Sequence, residues 1–98
     1  MAKKGYLVSA YRSINNPDKL AAYAKLAPAA TGQFGARYIA RGTAAEAFEA
    51  GQKERIVISE FPSLEKAIAA YKSPAYQDAL KALGDGAVRD IRIVEALE

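Results

Sequence analysis

The 98-residue chain contains no cysteine and no histidine. The first absence removes disulfides, thiolate metal sites and cysteine nucleophiles together. The second excludes more: imidazole-ligated haem or zinc, a serine triad of the usual type, and any side chain that titrates near neutrality without help from its surroundings. The residues that remain call for no metal and no cofactor. Long apolar runs are missing too. Nothing approaches the ~20 residues that span a bilayer, and the N-terminus passes from Lys4 into a strand with no apolar signal core. The expectation is a soluble cytoplasmic protein. Runs of one charge are equally scarce: fourteen basic residues, from Lys3 to Arg92, are interleaved with eleven acids, and no basic run exceeds Lys3-Lys4. A net charge of +3 spread in this way reads as solubility and not as a stripe that tracks phosphates.

What is present suffices for a single domain over residues 1–98, half of them hydrophobic, with one core that needs no staples. Gly5-Tyr6-Leu7-Val8-Ser9-Ala10-Tyr11 opens a strand to Arg12 that is apolar on both faces, Tyr6, Val8 and Ala10 against Leu7 and Tyr11. Asn16-Pro17-Asp18 then starts a helix by cap, pre-set first residue and dipole-matched acid. Its inward stripe is Leu20, Ala21, Tyr23, Ala24 and Ala27. Pro28 is expected to end or kink it, with a short second piece to Thr31 before Gly32.

A second strand spans Ala36 to Arg41, with Arg37, Ile39 and Arg41 on one face and Tyr38 on the other. Propensity alone makes Thr43 to Glu49 helical, but a hairpin has to join two strands here, so an irregular arm or strand extension is expected. Arg55 to Phe61 is β-branched and central. Ser63 caps the next helix, Ser73-Pro74 restarts it at a new angle, Gly84 and Gly86 end it, and a last strand lies near Arg89 to Glu95. The order is βαββαβ: an α+β, ferredoxin-like plan with a four-stranded antiparallel sheet and helices on one face. The opposite face, apolar and bare, exceeds what monomers expose, and two copies pairing face to face would cover it.

Four segments carry a family resemblance. Gly35-Ala36-Arg37-Tyr38-Ile39-Ala40-Arg41-Gly42, the stretch Ile58 to Ala67 around Glu60-Phe61-Pro62-Ser63, then Tyr71-Lys72-Ser73-Pro74-Ala75-Tyr76-Gln77, and Ile93-Val94-Glu95 resemble, in order and spacing, the domain of unknown function family thirteen-thirty. The resemblance covers nearly the whole chain. It implies a homodimeric α+β barrel of ferredoxin-like subunits, as in the antibiotic-biosynthesis monooxygenase and muconolactone isomerase groups, and it implies no activity. The chain departs from the pattern at Leu83, where relatives commonly have arginine, at Ala96, where glycine is usual, and at Ala36, which replaces a glycine. A role for that arginine does not carry over.

The candidate site residues are Glu60 as a catalytic base and Arg37, Arg41, Tyr11, Tyr38, Tyr71 and Tyr76 as ligand-binding groups. Arg37 and Arg41, about 13 Å apart along one strand, could fork an anionic ligand, or could pair with Glu60 or Glu49 as structural bridges. Glu60, in line with Ile56 and Ile58, must be ion-paired or have a raised pKa that suits a general base. Tyr71 and Tyr76 flank the Ser73-Pro74 kink and either line a pocket or fill the core. Ser63 and Ser73 are caps.

Three functions compete. The first is a homodimer binding a small organic molecule, anionic if the arginines clamp it, in a sheet–helix cavity, with cofactor-free oxygenase or isomerase chemistry in reach. The second is a non-catalytic binding or assembly module whose polar residues are structural. The third is RNA binding, which shares the βαββαβ order but needs exposed aromatics on the third strand. That strand offers Arg55, Val57 and Ser59 on one face, Ile56 and Ile58 on the other, and only Phe61 at its end, which argues against nucleic acid.

Overall fold

Each helix begins where a polar side chain meets the free amides of a first turn. The computed structural model describes residues 2–98. The first helix, α1 (Pro17–Gly32), is opened by Asn16, whose Oδ1 accepts the amides of Asp18 at 3.1 Å and Lys19 at 3.2 Å. Ser63 Oγ accepts the Lys66 amide and opens α2 (Leu64–Lys72). Ser73 works in both directions: its Oγ donates to the Ala70 carbonyl at 2.8 Å, closing α2, and accepts the Tyr76 amide at 3.2 Å, opening α3 (Pro74–Leu83).

Pro28 neither ends nor divides α1, which runs unbroken to Gly32. The proline removes a bond to the Ala24 carbonyl. Beyond it, Ala27 and Ala30 are buried against Tyr76 and Ala79 of α3, and Thr31 Oγ1 donates to the Ala27 carbonyl at 3.0 Å. Tertiary packing thus holds the last turn in place.

The strands β1 (Gly5–Ile14), β2 (Arg37–Thr43), β3 (Arg55–Phe61) and β4 (Ala87–Glu95) form one antiparallel sheet in the order β2-β3-β1-β4. The chain between β2 and β3 is irregular, as the hairpin argument expects. Leu7, Ser9 and Tyr11 of β1 lie opposite Ser59, Val57, Ile93, Ile91 and Arg89 on the helix-covered face. Tyr6, Val8 and Ala10 lie opposite Glu60, Ile58 and Ile56 on the bare one. On β2 the expected alternation fails. The register shifts between Tyr38 and Ala40, so Tyr38 pairs with Ser59 and Arg41 with Val57. Ile39 is the extra residue of a bulge, and it moves Arg41 onto the same face as Tyr38, opposite to Arg37.

The core on the helix side is built of small residues. Leu7, Phe61, Ala67 and Ala70 form one cluster, and Ala27, Ala30, Tyr76 and Ala79 another. The molecule is a thin slab of 40 × 33 × 16 Å. Gly5 is where α2 comes closest to the sheet: a Cβ there would lie 2.8 Å from both Leu64 Cα and the Ser63 carbonyl. Among the described residues, no helix is long and apolar enough to cross a membrane.

Candidate functional site

Where α2 sits on the sheet, α1 packs on α3, and the two layers part between α1 and the strands. A cavity of about 300 Å³ opens there. Small side chains create it. Ala21, Ala24 and Ala27 face it from α1, and Ser9 and Ser59 from the sheet. Larger side chains at these positions would close the gap to ordinary packing density.

Charge is distributed unevenly in this cavity. Arg41, Arg55 and Arg89 line it, and no aspartate or glutamate does. The other three arginines of the chain each have a carboxylate partner: Arg12 and Arg92 on Asp90, and Arg37 on Glu60. None of the three cavity arginines has one among the described residues. Two of them rest on aromatic rings instead. Arg41 lies 4.4 Å from the centre of Tyr38, and Arg89 lies 4.8 Å from Tyr23 and 5.6 Å from Tyr11.

At the Arg89 end a chain of hydrogen bonds forms. Arg89 Nη1 donates to Tyr23 Oη at 3.0 Å, and Tyr23 Oη and Tyr76 Oη are 2.5 Å apart. The two rings meet edge to face. Burial, then the neighbouring Tyr76 oxygen, pushes the Tyr23 pKa up against the pull of Arg89. Burial also pushes up Tyr38. For Arg89 burial works against the cation, but the phenol oxygens of Tyr23, Tyr76 and Tyr11 outweigh it and raise its pKa. At neutral pH Tyr23 and Tyr38 are therefore neutral phenols and Arg89 is a cation. Ser9 Oγ, in the same wall, is buried with no hydrogen-bond partner. Among the described residues no cluster of side chains suits a metal ion.

Of the residues singled out in the sequence, Tyr11, Tyr38, Arg41 and Tyr76 converge on this cavity. Tyr71 does not line it; its ring lies tilted against Tyr76, centres 5.0 Å apart, and packs half-buried against the core. Arg37 and Glu60 lie on the opposite face of the sheet, bridged at 3.0 Å, with Lys4 at 3.4 Å and the Tyr6 hydroxyl donating to Glu60 at 3.0 Å. The Tyr6 hydrogen bond, aided by Lys4 and Arg37 against the effect of burial, holds the Glu60 carboxyl below its usual range. A general base needs the reverse. The paired alternative describes these two residues.

Tyr23, Arg55 and Arg89 escape the sequence reading. Tyr23 sits in the α1 stripe and reads as core. The signal for the arginines is phase: Arg89 is in step with Ile91 and Ile93, and Arg55 with Val57, so each lies on its strand's inward face.

A family model described as a domain of unknown function (DUF1330) matches residues 4–97. No curated protein matches the chain. Among solved structures it is similar to a protein of unknown function from Rhodopseudomonas palustris, with 15% identity and a TM-score of 0.76 over 100% of this chain and 85% of that one. It is also similar to SnoaB, a cofactor-independent oxygenase from Streptomyces nogalater, with 11% identity and a TM-score of 0.68 over 99% and 96%. A third is a dimeric ferredoxin-like protein of unknown function from Thermobifida fusca, with 15% identity and a TM-score of 0.68 over 98% and 93%. At these identities the likeness is one of fold, the ferredoxin-like α+β plan expected from the element order.

Proposed function

The chain belongs to the DUF1330 family, a domain of unknown function that brings no reaction with it, and we propose from the cavity itself that the protein binds a small organic anion between α1 and the sheet. One observation carries this reading: three arginines without carboxylate partners among the described residues face a cavity that no described acid lines. Like charges gathered in a half-enclosed space repel, and an anionic ligand relieves the repulsion while filling each guanidinium's hydrogen-bonding capacity. The volume, about 300 Å³, is at the lower end for ligand pockets and suits a single-ring compound. Tyrosine rings and alanine methyls supply flat apolar walls for its body.

Calorimetric titration with benzoate and with its uncharged isostere benzamide tests the reading. A charged hydrogen bond contributes about 1.5–3 kcal/mol, so benzoate should bind at least roughly ten-fold more tightly. Equal affinities would remove the anion site.

The same proposal places this unit in a homodimer. Val8, Ile56 and Ile58 on the bare sheet face are only partly buried, and Val88 and Val94 of β4 on that face are 49% and 56% exposed. A second copy laid face to face covers this surface, and the Thermobifida fusca neighbour is described as dimeric. Sedimentation velocity should show a dimer for the native chain and a monomer for Ile58→Lys. A native monomer would refute the pairing.

A further inference from the structure

The hydrogen bonds at the Arg89 end leave one proton without an acceptor. Two phenol hydroxyls, Tyr23 and Tyr76, hold two protons. One is used between them, whichever oxygen donates. Tyr23 Oη also accepts from Arg89, and no further acceptor meets either hydroxyl among the described residues. Both side chains line the cavity. The remaining proton is therefore available to an atom in the cavity, and the Arg89 cation polarises it. Nothing of opposite character competes: no carboxylate from the sheet, α1 or α3 faces this point, and the other charged groups of the cavity are Arg41 and Arg55. A second hydroxyl without a partner, Ser9 Oγ, is buried in the same wall. Tyr11 lies opposite Arg89 in the sheet register, two residues along from Ser9 on the same face.

We infer that Tyr23 and Tyr76, backed by Arg89, form an oxyanion subsite that takes a single anionic oxygen, the phenolate of a phenol or the enolate of an enolisable ketone, in preference to its protonated form. This rests on the anion-binding reading of the cavity and deepens it. A carboxylate needs only positive charge and a fork of donors. A phenol or ketone gains from this arrangement only if its oxygen carries the negative charge that a polarised hydroxyl and a guanidinium favour. Binding then lowers the ligand's own pKa, and its proton leaves to the solvent. Stabilising the anion in this way is a contribution to proton abstraction beside a carbonyl.

The test uses 4-nitrophenol, whose phenol and phenolate absorb at different wavelengths. Bound to the native protein, its apparent pKa should fall by about one unit or more, a ten-fold or larger preference for the phenolate. The two tyrosines should respond unequally. In Tyr76→Phe, Tyr23 keeps Arg89 and its own proton becomes free for the ligand, so most of the shift survives. In Tyr23→Phe the link to Arg89 is gone, and the phenolate preference should fall by about ten-fold. A purely structural pair would lose stability in both variants and show no such asymmetry. If Tyr23→Phe does not fold, the ¹³C resonance of the Tyr23 ring carbon bearing the hydroxyl serves in native protein. It should move when 4-nitrophenol is added and stay fixed with toluene. An unshifted phenol pKa alongside normal benzoate binding would overturn the subsite and leave the cavity reading standing. Absence of benzoate binding would overturn both.

Discussion

Adding a carboxylate to the cavity should abolish its preference for anions, and Val57 is the position for it. Val57 lines the cavity from β3, opposite Arg41 on β2 and Ser9 on β1. Directly opposed residues have Cβ atoms about 4.5–5.5 Å apart, and Arg55, two residues back, is about 7 Å away along the strand. A glutamate at 57 therefore reaches both guanidinium groups. An incoming carboxylate seeking the same arginines meets this fixed charge at about 6 Å. At an effective dielectric constant near 20 the repulsion is about 3 kcal/mol, roughly a hundred-fold in Kd. Glutamine fills the same space without the charge, so Val57→Gln is the reference. Calorimetry should show Val57→Glu binding benzoate about a hundred-fold more weakly than Val57→Gln. Stability should move the other way. Beside two guanidinium groups the new carboxyl has a depressed folded-state pKa, so its advantage over glutamine is present above the unfolded value and lost as pH falls through the folded one. Equal benzoate affinity in the two variants would mean that the three arginines do not define the site.

Gly5→Ala and Gly32→Ala should have opposite signs in urea unfolding: the first should cost about 1–3 kcal/mol, because the new methyl meets Leu64 and Ser63 backbone at 2.8 Å. The second, at a helical position with nothing within 4 Å, should gain about 0.5–1 kcal/mol. Ser73→Ala should destabilise by about 1–2 kcal/mol, since one hydroxyl closes α2 and opens α3; an unchanged midpoint would show that water replaces it. Glu60 has a folded-state pKa below its ordinary 4.5, so its contribution is present above that value and fades as pH falls toward the depressed one. Acid titrations followed by circular dichroism should therefore show a shallower loss of stability in Glu60→Gln than in the native chain.

Local chemistry makes most of the fold legible. Asn16-Pro17, Ser63 and Ser73-Pro74 each state a helix start in side-chain terms, and each is used that way. The arm between β2 and β3 follows from topology overriding helix propensity. Two features needed information that lies outside any short window. Pro28 looks like a stop, yet α1 continues because Ala27 and Ala30 are held by residues of α3 nearly fifty positions away in sequence. Alternation along β2 puts Arg41 on the same face as Arg37, yet the bulge at Ile39 turns it to the other. A bulge is a property of a strand pair, and no single-strand pattern reports it.

The candidate site was half legible for the same reason. Tyr11, Tyr38, Arg41 and Tyr76 stand out by residue type, but type does not say which face of the sheet each occupies. Glu60 and Arg37, equally conspicuous, neutralise each other on the far face. Phase along the strand carries the missing information: Arg55 and Arg89 fall in step with core-facing residues, where a cation is costly unless something receives it.

That cost separates the arginines into two groups with different explanations. Arg12, Arg37 and Arg92 meet carboxylates near the surface, and such pairs contribute little to stability and call for no function. Arg41, Arg55 and Arg89 face one cavity with no acid to balance them. Replacing them by apolar residues would remove the mutual repulsion and fill the gap beneath α1, so the fold does not need them there. A bound anion, on the proposed reading, would use the arginines without carboxylate partners among the described residues, the unfilled cavity, the uncommitted phenol proton and the orphan hydroxyl of Ser9. Features that a single bound anion would satisfy together are what the proposed anion site requires. Benzoate should also raise the melting temperature by more than its affinity for an unstrained pocket of this size would account for, since binding removes repulsion as well as adding contacts. A thermal-shift series at rising salt separates the two. Salt should stabilise the ligand-free protein by screening the arginines and should shrink the benzoate increment in step. An increment independent of salt would show that the cavity holds its ligand by contacts alone.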